Sequence, residues 1–144
     1  MEHCTLYCKI KPRSLQQLAE RLSAIPDQSD AISFDEAKQS VVCYTSTGSV
    51  KLTLMWFVEA GDPFAKLRGK TLVNFESKPG IMPEARERIL LHIRQTEAVI
   101  GVVADPSFES FERLEAIIMF IATEHDALIF NGQEMLDSLG EVVS

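Results

Sequence analysis

The chain has 144 residues, 14 basic and 21 acidic, for a net charge of −7, with 46% hydrophobic and 24% charged side chains. That is material for one domain with its own core, and too apolar for a disordered chain. No apolar run approaches the roughly 18 residues that cross a bilayer, MEHCTLYCKIKPR lacks a signal-peptide core, and the acidic balance opposes nucleic acid binding, so a soluble cytoplasmic domain over residues 1–144 is expected.

Residues 4–10 (CTLYCKI) alternate as a strand, which Pro12 ends. Cys4, Cys8 and Cys43 cannot all pair within one chain, which suits a reducing compartment. His3 beside Cys4 and Cys8 invites a metal reading, but a closed zinc site needs four ligands and nothing supplies the other half. The thiols read as small buried groups, and neither metal nor cofactor is expected. Ser14-Leu15-Gln16-Gln17 is a capping box that opens a helix with Leu15, Leu18, Ala19, Leu22 and Ile25 at helical spacing, ended by Pro26.

Residues 31–58, with AISF, SVVCYTS and SVKLTLMWFVE, read as an antiparallel meander. Leu52, Leu54, Trp56 and Val58 share one face of its third strand, and Trp56 reads as a core or sheet-covering residue. Asp62 as N-cap and Pro63 at the first helical position open the next helix, where Gly69 invites a kink. Pro83 opens another, with Ala85, Ile89, Leu90, Ile93 and Thr96 inward and His92 at the boundary. AVIGVVA over 98–104 is a strand covered on both faces. Phe111, Leu114, Ile118 and Ile121 line one side of the following helix, and Ala116–Ala122 is apolar all round. Either the rest of the fold or a second subunit must cover that segment, and a symmetric homodimer is one expectation. ALIF is a strand, Asn131-Gly132 a turn, and MLDSLGEVV a short hairpin or terminal strand turning at Gly140.

Charge is unevenly spread. Residues 62–94 hold seven basic residues (Lys66, Arg68, Lys70, Lys78, Arg86, Arg88, Arg94) and four acidic ones, while residues 95–144 hold one basic and ten acidic residues. Helical faces that attract each other within the fold explain this more simply than an anion site does.

Catalytic constellations are missing from the pattern. Gly69-Lys70-Thr71 resembles the end of a phosphate-binding loop, but Phe64 stands where its first glycine belongs. Gly101 lacks the glycines of a dinucleotide fingerprint. His125 and Asp126 end a helix, where an imidazolium suits the dipole without further role. Asp105-Pro106-Ser107 follows a strand and opens a helix, where open α/β sheets often bind ligands, although helix capping explains the same residues.

The opening CTLYCKI, LTLMWF with DPFAKLRGKTLVNF, HIRQTEAVIGVVAD and the ending ALIFNGQEMLDSLGEVV together resemble the N-terminal region of bacterial proteins carrying the domain of unknown function 4272. These segments are patterns of apolar and turn residues spread over most of the chain. The resemblance implies a stand-alone bacterial copy of that N-terminal module and brings no catalytic residues.

The expected fold is α+β: a mixed sheet with an antiparallel N-terminal meander and a C-terminal β-α-β unit, helices mainly on one face. The leading expectation for function is a non-enzymatic module that binds an as yet unknown protein partner. The competing one is a small-molecule-binding protein or enzyme with a pocket at the carboxyl ends of the C-terminal strands, lined by Asp105, Ser107 and Asn131.

Overall fold

Strand residues in this chain are apolar on both faces in the middle of the sheet and on one face only toward the meander, and the strands are ordered accordingly. The computed structural model describes residues 2–24, 31–37, 39–45, 48–56, 63–105 and 111–143, with the side chains of residues 2, 3, 45, 55, 56, 63, 64, 111 and 112 outside the description. The strands are β1 (Glu2–Cys8), β2 (Ala31–Asp35), β3 (Ser40–Thr45), β4 (Gly48–Trp56), β5 (Ala98–Ala104), β6 (Ala127–Phe130) and β7 (Met135–Leu136). The helices are α1 (Leu15–Ser23), α2 (Pro63–Ser77), α3 (Pro83–Arg94) and α4 (Phe111–Glu124). All seven strands form one sheet in the order β2-β3-β4-β5-β1-β6-β7, and the architecture is α+β.

The sheet differs from expectation in two respects. Among the described residues every strand pairing is antiparallel, so the sheet is not mixed. The β-α-β unit is present, but β5 and β6 are not neighbours. β1 lies between them, antiparallel to both, with Leu6 opposite Ile100 on one side and Ile129 on the other. β1 suits that central place because it is buried on both faces, through Cys4, Leu6 and Cys8 on one and Tyr7 on the other.

Nor do the helices gather on one face. Cys4, Leu6, Val41, Leu52, Ile100 and Ile129 point to a core closed by α1 and α4. The opposite face carries Tyr7, Val99 and Leu128 against Phe75 of α2 and Ile89 and Ile93 of α3. A central strand group apolar on both faces needs cover on both, at roughly 1.5–3 kcal/mol for each large side chain buried.

Local signals account for the individual elements. Ser14 Oγ accepts the Gln17 N–H at 3.0 Å, while Gln17 Oε1 reaches back to the Arg13 N–H at 3.0 Å, which satisfies two donors at the start of α1. Ile25, Pro26, Asp62 and the side chains of His3 and Trp56 lie outside the described residues. α2 runs through Gly69 without a break. Thr71 lies inside that helix, its hydroxyl donating to the Leu67 carbonyl at 2.8 Å, so Gly69-Lys70-Thr71 is helix rather than phosphate loop. Cys4, Cys8 and Cys43 are buried in the α1/α4 core, and burial pushes the Cys8 thiol up to about 12 and Cys43 to about 11.

The apolar segment of α4 finds cover within the chain. Ile117, Ile118, Ile121 and Ala122 are buried in the core, and Met119 and Phe120 pack against it. The Arg21 guanidinium sits 5.9 Å from the centre of the Phe120 ring and pairs with Glu124. The C-terminal turn covers the remaining side: a Cβ placed on Gly140 would lie 3.5 Å from Met119 Cε. The reason for expecting a dimer is thus met internally. No helix among the described residues is long and apolar enough to cross a membrane.

Candidate functional site

Of the three residues proposed from sequence, Asp105 and Asn131 line no common cleft among the described residues. Asp105 and Asn131 follow the carboxyl ends of β5 and β6, but the intervening β1 and an offset of three residues separate their backbones by on the order of 14 Å. Asn131 Oδ1 accepts the N–H groups of Gln133 and Glu134 at 2.9 and 2.8 Å, which holds it in its own turn with Gly132 at φ 97°. The Asp105 N–H donates to the Ser49 carbonyl at 2.8 Å. Ser107 lies outside the described residues. The rule that ligands bind at carboxyl ends belongs to open parallel sheets, where two adjacent strands diverge to leave a crevice. Here a third strand fills that gap.

Polar side chains gather instead at the other end of the sheet, where β1 leaves and β6 begins. A cleft of about 160 Å³ is walled there by Lys9, by Arg88 and His92 of α3, by Asp126, and by Asp137 and Ser138 after β7. Lys9 Nζ stands 3.9 Å from Asp126 Oδ2, and Arg88 Nη2 stands 4.0 Å from Asp137 Oδ2. His92 is buried, and its Nε2–H donates to the Tyr7 carbonyl at 2.7 Å. A carbonyl only accepts, so the ring proton is on Nε2 and Nδ1 keeps its lone pair. Burial holds the imidazole below its ordinary value, and Lys9 and Arg88 push the same way, against the Tyr7 hydrogen bond and the Asp126 charge. His92 is therefore neutral at pH 7.

Two backbone features place the carboxylates. Asp126 follows α4 with φ 46°, a left-handed conformation that ends helices and favours glycine. Asp137 Oδ1 accepts the N–H groups of Leu139 and Glu141 at 2.9 and 3.0 Å, which leaves Oδ2 toward Arg88. His125 has a different environment: its Nδ1 is buried without a hydrogen-bond partner among the described residues, and burial lowers its pKa. Sequence reasoning set His92 at a boundary and Asp126 at a helix end. Neither position carries a local signal that the two would meet.

A second opening lies along the outer strand. A groove of about 450 Å³ separates α1 from β2, with Gln16, Ala19 and Glu20 on one wall and Ala31, Ile32 and Phe34 on the other. Among the described residues β2 has a neighbour on one side only, and four of its five residues are exposed, Phe34 by 43%. A trough of similar volume crosses the opposite sheet face over Thr5, Thr53, Gly101 and Val103, beside Leu67 of α2.

Three of the seven basic residues of the block donate to backbone carbonyls, and two more pair with carboxylates. Arg86 donates to Phe75, Glu76 and Lys78, Arg68 to Thr96, and Lys78 to Gln133, while Arg88 reaches Asp137 in the acidic block. Compared with known proteins, the chain matches no family model, and no curated protein or solved structure is significantly similar to it.

Proposed function

We propose that this chain is a non-enzymatic interaction module that takes up an extended, basic segment of a partner protein along β2. The observation that carries the reading is the exposed outer strand with Phe34 beside the α1 groove. An edge strand offers a row of backbone donors and acceptors to an added strand, and a flanking groove selects alternate side chains. Glu20 on the groove wall and Asp35 and Glu36 at the end of β2 favour positive charge in the partner, as does the net −7 of the chain. The resemblance to the N-terminal region of bacterial proteins carrying the domain of unknown function 4272 fits this reading, because the segments behind it are patterns of apolar and turn residues that build a scaffold. Three buried cysteines, none of them in a disulfide, support a reducing, cytoplasmic site of action.

The test is affinity capture from the native organism, followed by amide exchange on the reconstituted complex. Wild type should retain a partner and show slowed exchange in β2. Phe34→Asp should lose it, and Leu91→Asp, at an exposed position on α3, should keep it. Slowed exchange elsewhere with β2 unchanged, or a Phe34→Asp variant that binds normally, would refute the edge-strand reading.

A further inference from the structure

The geometry points to a second binding site, at the opposite end of β1 from Asp105, for a small zwitterion of the free α-amino acid class. Its walls are the polar cleft of Lys9, Arg88, His92, Asp126, Asp137 and Ser138. Charge balance selects the ligand. Two cations and two carboxylates line the cleft, Asp137 18% exposed and the other three more so, and His92 is neutral. The site thus offers a positive and a negative pole side by side, both of which a zwitterion meets and a singly charged ligand meets on one side only.

The pairs are loose enough to admit one. At 3.9 and 4.0 Å, both lie beyond the 2.7–2.9 Å of a charge-assisted hydrogen bond, so neither cation has spent its donors on its carboxylate. The acceptors are held ready: Asp137 by two backbone N–H groups, and the His92 ring by the Tyr7 carbonyl, which leaves Nδ1 without a hydrogen bond among the described residues. An α-ammonium group would donate to Asp126 Oδ2, Asp137 Oδ2 and His92 Nδ1, and the α-carboxylate would accept from Lys9 and Arg88. At about 160 Å³ the cleft is too small for a nucleotide or a drug-sized cofactor, whose pockets start near 300 Å³.

Asp126 gives the argument its sharpest handle. Its backbone conformation favours glycine, so the aspartate side chain is present at some cost to the turn. Asp126→Gly should leave the protein at least as stable while removing one pole of the site.

The probe is L-alanine, titrated into the full chain at neutral pH and followed by calorimetry and by backbone amide shifts, with acetate, inorganic phosphate and methylamine as single-charge controls. Alanine should bind saturably, shift the amides of Ala127, Leu128 and Ser138, and bind more tightly than every control. Asp126→Gly and Arg88→Gln should each weaken it by roughly tenfold or more, with the unfolding midpoint of Asp126→Gly not lowered. No saturable shift with alanine would overturn the proposal. So would acetate or phosphate binding as tightly as alanine (an anion site), methylamine doing so (a cation site), or unchanged alanine affinity in both variants. Phe34→Asp should bind alanine as wild type does, which separates this site from the β2 edge.

Discussion

Arg86 should be worth more to this fold than any surface charge around it. From the first turn of α3 its Nη1 donates to the carbonyls of Phe75 and Glu76, both at 2.7 Å, and its Nη2 donates to the Lys78 carbonyl at 2.8 Å. Phe75 and Glu76 lie in the last turn of α2, whose carbonyls have no partner within the helix, and a cation there also suits the helix dipole. One side chain therefore caps α2, fixes the loop at Lys78 and ties α2 to α3. Hydrogen bonds from a charged donor are worth about 1.5–3 kcal/mol each. Water can replace the bond to the exposed Glu76 carbonyl, so the loss approaches that of two bonds. Arg86→Ala should cost about 3 kcal/mol, a fall of roughly 10 °C in Tm for a domain of this size. Arg86→Lys should recover only a minor part, because an ammonium cannot span three carbonyls with a planar fork. Thermal unfolding followed by circular dichroism, with denaturant titration for the free energy, measures both. A loss under about 1 kcal/mol for Arg86→Ala, or full recovery by lysine, would refute the capping argument.

Gly69→Ala should stabilise the protein by about 0.5–1 kcal/mol, since the position is exposed inside an unbroken helix and a Cβ there meets nothing within 4 Å; a loss in denaturant titration would contradict this. Met119→Glu should lower stability by about 2 kcal/mol without changing the mass in solution, because the cover over Met119 is the chain's own C-terminal turn; sedimentation showing a wild-type dimer and a folded monomeric variant would reverse that. His92 and His125 are both held below the ordinary value of 6.5 by burial, so the unfolded chain takes up protons first. Their contribution is full above that pH and declines below it until the folded imidazoles titrate too, so urea midpoints should fall from neutral pH toward about 5, and a flat or rising profile would count against the assignment.

Much of this fold was legible in the chain because its signals are local. The Ser14 cap, the two prolines that open α2 and α3, the period-2 burial of Val50, Leu52 and Leu54, and the glycine turns at Gly132 and Gly140 each depend on residues a few positions apart. Helix and strand periodicity therefore reads out α+β architecture without reference to anything distant. Strand order is a different kind of fact. CTLYC pairs equally well as an edge or as a centre until a partner is chosen. Its place between β5 and β6 comes from pairing with residues ninety or more positions away while Tyr7 and Leu6 are buried on opposite faces. That one insertion turned the expected parallel pair into an antiparallel sheet and parted Asp105 from Asn131. It also required helices on both faces, which set Arg88 and His92 of α3 beside Lys9 and Asp126. The polar cleft exists only through these long-range pairings, and no window of sequence contains it.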